Sequence, residues 1–169
     1  TPTVEDAAAG AQVSRTTAYR YFPSQAALLA AAHPEIVTTT LLPEHPPADV
    51  AERVEVVVAG VTDLVVDTEA QQRTMLRLSL EPGAGRNELL LRQGRVIAWL
   101  EDALAPLAEQ LGAPGVRQLA IAIRSAIGIE SFVWLTDVAK LTTADAVATM
   151  RWAARSMVEA ARHGSLPST

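Results

Sequence analysis

Hydrophobic residues recur every three or four positions along most of the chain, and no stretch alternates apolar and polar residues as a strand does. The most regular example lies between Asp49 and Asp67, where valines and a leucine form one apolar face. Because β-branched residues have a lower helix propensity, the stability of this helix must come from the packing of that face. The pattern predicts an all-α chain.

Capping residues define three short helices near the N-terminus, predicted over residues 4–11, 15–22 and 25–32. Thr3 and Asp6 have the spacing of a capping box, and Ser14 and Ser24 are placed to cap the second and third helices. Two helices of about two turns joined by a tight turn are typical of a helix-turn-helix unit.

Prolines and glycines divide the rest of the chain. Four prolines interrupt residues 33–48 and predict a boundary between a domain of residues 1–33 and one of residues 34–169. The later helices are predicted over residues 49–67, 68–80, 87–111, 114–141 and 143–163. Gly112 ends the helix predicted over residues 87–111, at a position that favours a left-handed backbone, and Gly164 ends the helix predicted over residues 143–163.

The helix predicted over residues 15–22 carries the most informative pattern. Phe22 and Ala18 give it an apolar inner side, and its other positions carry hydroxyls, arginines and phenols. A helix that enters the major groove of DNA needs a packed inner face and an outer face able to bond phosphates and base edges. An ordinary surface helix with half-buried tyrosines fits the same pattern, and the residues alone favour neither interpretation.

Residues 3–29 resemble the DNA-binding motif of the TetR family of transcriptional regulators, above all in the string TAYRYFPS at the right distance behind Thr3 and Val4. The resemblance implies a helix-turn-helix domain followed by a helical bundle that binds a ligand and dimerises. By the same resemblance, Thr3 caps the supporting helix at the point where this helix meets a DNA phosphate. The candidate DNA-binding residues are Thr3, Ser14, Arg15, Thr16, Thr17, Tyr19, Arg20, Tyr21 and Gln25.

The chain departs from the family pattern at four positions. Gln12 replaces the turn glycine, so a side chain must tolerate a left-handed backbone. Thr16 replaces a glycine that allows close approach to phosphate, and Ala18 replaces a larger leucine. Gln25 replaces a lysine that would pair with a phosphate. The slope of log K against log salt for DNA binding is therefore smaller by about one unit. The family's first helix is missing, and since the chain does not open with Met, we expect further residues upstream.

Charge limits where nucleic acid could bind. The net charge is −5, and in the first 33 residues Arg15 and Arg20 are balanced by Glu5 and Asp6. Any DNA contact is therefore expected to be local and N-terminal. There is no cysteine, no signal-peptide pattern and no apolar run of the roughly 20 residues that span a bilayer. These features predict a soluble, cytoplasmic protein.

The C-terminal part resembles the family only in being helical and in ending with two long helices, which in that family form a four-helix bundle with a twofold mate. Residues 116–139 have apolar side chains on nearly every face of the predicted helix, so most of its surface must pack against other helices. The last helix carries small residues that would let another helix pack closely against it. A homodimer would cover these surfaces; the alternative is that both helices fill the core of one monomer. Candidate ligand-binding residues are Met75, Trp99, Glu130 and Trp134.

Glu130 interrupts an apolar run and should be paired, which favours an ion pair or an interface over a ligand contact. No catalytic motif, metal cluster or cofactor signature is present. The sequence therefore predicts a ligand-responsive repressor that binds a near-palindromic operator as a homodimer and is not an enzyme. A helical small-molecule-binding protein that has lost DNA binding is the main alternative, and a helical enzyme is a weaker one.

Overall fold

The structure, a computed structural model, describes residues 2–32, 38–80 and 95–166. Within these ranges every regular element is helical and no strand occurs, which confirms the all-α prediction. Two compact units are present: Thr1–Thr38 with Ala70–Gln93, and Thr39–Glu69 with Gly94–Thr169. The functional domain boundary predicted at residue 33 stays a prediction.

The first unit opens with three short helices. They are α1 (Val4–Gly10), α2 (Arg15–Tyr21) and α3 (Gln25–Ala31). The capping box of α1 is confirmed, since Thr3 Oγ1 accepts from the backbone N of Asp6 at 3.1 Å and the Asp6 carboxylate accepts from the backbone N of Thr3 at 2.9 Å. Ser14 caps α2 as predicted, with its hydroxyl accepting from the backbone N of Thr17 at 3.1 Å.

A tight turn joins α1 to α2. Gln12 has a φ of 55°, so the left-handed backbone predicted there is confirmed. The backbone N of Val13 donates to the carbonyl of Ala8 at 3.0 Å and closes the turn. The small core beneath the two helices consists of Val4, Ala8 and Ala18, with Phe22 and Leu28 packed against it.

One more helix of the first unit is described. Helix α5 (Glu69–Ser79) belongs to this unit from Ala70 onward. The amide of Gln71 donates to the carbonyl of Leu29 near the end of α3 at 2.9 Å. This bond satisfies one of the carbonyls that the end of α3 leaves without a partner inside the helix.

The second unit is built around α4 (Val50–Asp67), α7 (Ala108–Ile127) and α9 (Thr143–Arg162). Asp49 caps α4 by accepting from the backbone N of Ala51 at 2.8 Å and of Glu52 at 3.2 Å. The apolar face predicted for α4 is buried at Val50, Val54, Val57, Val58, Val61 and Val65. Helix α9 packs against both α4 and α7.

Helix α6 (Arg95–Ala103) is shorter than predicted. Pro106 lacks the N–H that would bond the carbonyl of Asp102, and a 3₁₀ turn, Ala105–Leu107, follows. Arg53 of α4 instead donates to the carbonyls of Asp102 at 2.8 Å and Ala103 at 3.0 Å. The prediction of one helix through Leu111 is therefore wrong in its second half, and its start at residue 87 lies outside the described residues.

Two glycines interrupt the apolar stretch that follows. Gly112 has a φ of 67°, as predicted for a helix end. Gly128 is extended and separates α7 from α8 (Ile129–Val133), after which a π-helical turn runs from Trp134 to Val138. The single helix predicted over residues 114–141 is therefore wrong, because it is broken at Gly128.

The break at Gly128 accommodates an ion pair. A Cβ at this position would meet Arg124 Nη1 and Glu130 Oε2, so the ends of these two side chains would have to move to admit a side chain here. The two charged groups are 3.5 Å apart across the glycine. The expectation that Glu130 is paired is confirmed.

Among the described residues, Ala105–Val138 is the one helical stretch long and apolar enough by composition to cross a membrane, with a mean hydropathy of 1.5. The backbone departs from helical geometry at Gly112 and Gly128, so each straight segment is shorter than the roughly 20 residues that a span requires. The core helix of a soluble protein meets the same compositional criterion, and this stretch buries Leu119, Ile123 and Phe132.

Candidate nucleic-acid interface

Helix α2 has one packed side and one exposed side. Ala18 is buried against α1, and Phe22 at the helix end packs on the same core. On the other side Thr16 is exposed, and Tyr19 and Tyr21 expose 41% and 67% of their surfaces. The two-sided character predicted for this helix is present, with hydroxyls and phenols facing solvent.

Three side chains on this surface meet at one oxygen atom. Tyr19 Oη donates to Glu5 Oε1 at 2.7 Å, and Arg15 Nη2 donates to the same oxygen at 2.7 Å. Glu5 lies in the first turn of α1, so these contacts join α1 to α2. We call Glu5, Arg15 and Tyr19 the Glu5 cluster.

The Glu5 cluster changes the ionisation of its members. The hydrogen bond from Tyr19, followed by the one from Arg15, holds the pKa of Glu5 below its ordinary value. The hydrogen bond between Tyr19 and Glu5 raises the pKa of Tyr19, and the one between Arg15 and Glu5 raises the pKa of Arg15. All three groups therefore keep their usual charges at neutral pH.

Sequence reasoning missed the structural role of Glu5. The available signal was the balance of two acids and two arginines in the first 33 residues. Spacing along the chain does not show which acid meets which base, because the partners lie on different helices. The structure separates the two acids: Asp6 accepts from Thr3, while Glu5 accepts from α2.

Several other predicted contact residues are engaged in local structure. Ser14 lies 2.8 Å from the hydroxyl of Thr17 as well as capping α2. The Gln25 amide donates to the carbonyl of Pro2 at 2.9 Å and so connects α3 with the residues before α1. Thr3 is held in its capping box. Their role as DNA contacts stays a prediction.

Arg20 and Tyr21 form an exposed pair at the end of α2. The guanidinium carbon of Arg20 lies 5.2 Å from the centroid of the Tyr21 ring, within cation–π range. Such stacking holds the flat guanidinium in place and leaves donors at its edge. The pair is thus an exposed cationic group on the same helix as Arg15 and Tyr19.

The predicted ligand-binding residues occupy different settings. Trp99 is buried and its indole N–H donates to the carbonyl of Thr39 at 3.0 Å. Trp134 exposes 57% of its surface, and Glu130 faces Arg124. Met75 belongs to the first unit and is half-buried there. None of the three in the second unit lines the groove described next.

A groove of about 890 Å³ runs between α4 and α9 of the second unit. Its lining includes Asp63, Val66, Asp67, Val147, Arg151 and Trp152, and Trp152 exposes 68% of its surface. At one end Glu55 accepts from Arg151 and from Arg155. Burial raises the pKa of Glu55, but the bonds and charges of the two arginines outweigh it and the pKa lies below its ordinary value.

In comparisons with known proteins, no family model matches the chain, and no curated protein or solved structure does so either. The part of the chain that supports an inference best is the exposed side of α2.

Proposed function

We propose that this chain is a DNA-binding transcriptional regulator of the TetR type. Helices α1 and α2 with the turn at Gln12 would form its helix-turn-helix, and α2 would enter the major groove. The observation that carries the proposal is the two-sided character of α2: Ala18 packs against α1, while Thr16, Tyr19 and Tyr21 face solvent. Outward phenols and hydroxyls suit both phosphate oxygens and base edges.

The exposed groups of α2 fit the chemistry of a duplex. A guanidinium can donate to two acceptors of a guanine edge or to phosphate, and both Arg15 and Arg20 lie on this helix. A tyrosine hydroxyl can donate to a phosphate oxygen. Because the chain as a whole is acidic, such binding would be confined to this surface and the rest would be held away from the phosphates.

We propose that the protein acts as a homodimer that reads a near-palindromic operator. Two copies of α2 would then lie about 34–36 Å apart in successive major grooves. Exposed apolar side chains toward the C-terminal end support a dimer through the last helices: Ile121, Trp134, Val138 and Trp152. The predicted small residues of the last helix support it in part, because Ala148 and Ala160 are exposed, whereas Ala146, Ala154 and Ala161 are buried within this chain.

A small-molecule effector would favour one dimer geometry over another, to an extent limited by its difference in affinity for the two states. We propose that the regulator acts in the cytoplasm as a repressor and without catalysis. The groove between α4 and α9 supports ligand binding, since it combines the exposed indole of Trp152 with aliphatic and charged walls.

The groove also favours a second candidate, a helical small-molecule-binding protein that has lost DNA binding. This interpretation is supported by Gln25, which is held by the carbonyl of Pro2, and by Arg15, which is neutralised by Glu5. The two candidates differ in one measurable property. Only the regulator distinguishes its own upstream DNA from a duplex of scrambled sequence.

The test is a salt-dependent binding assay of the full-length protein on that upstream DNA. Arg20→Ala removes one exposed cation from α2 and should reduce the slope of log K against log salt by about 0.9. Arg117→Ala is the matched control, because it removes an arginine that is 61% exposed and lies in the second unit. Equal losses in the two variants would contradict a DNA-binding role for α2.

A further inference from the structure

The hydrogen-bonding capacity of Tyr19 limits what it can bind in the DNA-free chain. A phenol has a single proton to donate, and Tyr19 donates it to Glu5 Oε1. Phosphate oxygens only accept hydrogen bonds. Tyr19 therefore cannot donate to a phosphate while its bond to Glu5 persists.

The bond to Glu5 limits the hydrogen bonding of Arg15 less than that of Tyr19. A guanidinium has five N–H donors, and the bond to Glu5 uses the Nη2 end of the fork. The remaining donors can still reach another acceptor, but the carboxylate cancels the charge that attracts phosphate. The side chain of Arg15 is 74% exposed, so it is accessible to a competing anion.

Glu5 is also a fixed negative charge on the surface proposed to face DNA. Its neighbour Asp6 is occupied by two bonds from Thr3, at 2.9 Å from the backbone N and 2.7 Å from the hydroxyl. Glu5 is instead directed toward α2. The chain thus places a carboxylate where a phosphate would bind, on the same two donors.

We propose that Glu5 is a built-in competitor of the DNA backbone, which holds Arg15 and Tyr19 until a duplex displaces it. The inference rests on the proposed DNA-binding function and adds its regulation: the Glu5 cluster sets how tightly α2 binds and how steeply binding depends on salt. Sequence contacts that overcome the competition are made only on a correct site, so non-specific binding is suppressed.

The primary test uses Glu5→Gln in the full-length protein. This change removes the charge but keeps a side chain of the same shape. Binding to the upstream DNA should become roughly tenfold tighter at low salt, and the slope of log K against log salt should steepen by about 0.9, because one more cation meets phosphate. Glu101→Gln is the matched control, since Glu101 accepts from Arg117 at 2.9 Å and lies in the second unit.

A double variant shows whether the gain in DNA affinity and the steeper salt slope depend on Arg15. In an Arg15→Ala background, Glu5→Gln should leave the salt slope unchanged, because there is no released guanidinium to neutralise a phosphate. A general repulsion between the Glu5 carboxylate and the DNA, independent of Arg15, would instead move the slope equally in both backgrounds. The folded state of each variant is checked by circular dichroism.

A readout without DNA tests the cluster itself. In a Tyr21→Phe variant of the 169-residue chain, Tyr19 is the remaining tyrosine, and its ionisation can be followed by phenolate absorbance. Glu5→Gln should lower the pKa of Tyr19, which the carboxylate raises. An unchanged titration would show that the bond is absent in solution and would overturn the inference.

The outcomes separate the inference from the proposed function. If the wild-type protein prefers its upstream DNA and Glu5→Gln binds with equal or lower affinity, the competition is overturned and the regulator remains. If neither protein prefers any sequence, the proposed function fails and the inference fails with it. A steeper slope in Glu5→Gln but not in Glu101→Gln supports both.

Discussion

The hydroxyl of Tyr19 and the carboxylate of Glu5 are 2.7 Å apart and join two short helices that belong to the same small unit. The bond spans 14 positions of sequence, so it is a tertiary contact rather than a helix-internal one. It uses a residue that the sequence motif assigns to DNA. Under the proposed function, the contact between α1 and α2 and the affinity for DNA both depend on this side chain.

The Glu5 cluster predicts how acid affects the folded chain. Because the pKa of Glu5 is lower in the folded state than its ordinary value of 4.5, its stabilising effect is present above that pH and is lost as the pH falls through the folded value. Glu5→Gln should therefore make the free energy of unfolding less sensitive to pH as the pH falls below 4.5. Chemical unfolding of both proteins across that range measures this, and identical pH dependence would argue against the cluster.

The left-handed backbone at Gln12 predicts a stabilising substitution. A side chain in this region costs about 1–2 kcal/mol, whereas glycine adopts it without steric cost. Gln12→Gly should raise the free energy of unfolding by about 1 kcal/mol, even though glycine increases the chain entropy of the unfolded state. Gln12→Ala keeps the strain and should leave stability nearly unchanged in urea unfolding. A less stable Gln12→Gly protein would contradict the turn geometry.

The glycine beneath the Arg124–Glu130 ion pair predicts a destabilising substitution. A methyl group on Gly128 would displace the Arg124 guanidinium, which occupies the space that the added Cβ would take. Because the displaced atoms are the ends of flexible, partly exposed side chains, Gly128→Ala should cost no more than about 1 kcal/mol. The cost should fall in an Arg124→Ala background, which a double-mutant cycle of unfolding free energies measures. An undiminished cost would show that the pair is not what excludes the side chain.

The hydrogen bonds at the end of α6 predict that Arg53 contributes strongly to the stability of the fold. Its guanidinium bonds two backbone carbonyls and the side chain is only 14% exposed, so Arg53→Met should leave these acceptors without their charged donor. We expect a loss of about 2–3 kcal/mol in the free energy of unfolding. Arg155→Met is the control, because that side chain is 63% exposed and should cost far less. Comparable losses would contradict a capping role for Arg53.

Local sequence signals predicted much of the fold. Thr3, Ser14 and Asp49 cap helices because their side-chain oxygens reach backbone N–H groups within three residues, a relation visible in sequence. Gln12 and Gly112 have the left-handed backbone expected of a turn and a helix end. These features depend on neighbours along the chain and so can be read from it.

The features that sequence reasoning missed depend on distant partners. Helix α6 ends early where Arg53, about 50 positions away, takes its last carbonyls. Trp99 and Trp134 have the same apolar character in sequence, yet one is buried and the other exposed. Glu5 is an ordinary first-turn acid until α2 is placed beside it. Tertiary packing decides all three.

The central claim is that α2 reads DNA, and the ratio of two affinities tests it most directly. The dissociation constant of the full-length protein is measured at moderate salt for its own upstream region and for a scrambled duplex of equal length and composition. The account predicts at least roughly 1,000-fold tighter binding to the upstream region, as is usual for specific regulators. Equal affinity for the two duplexes would contradict it.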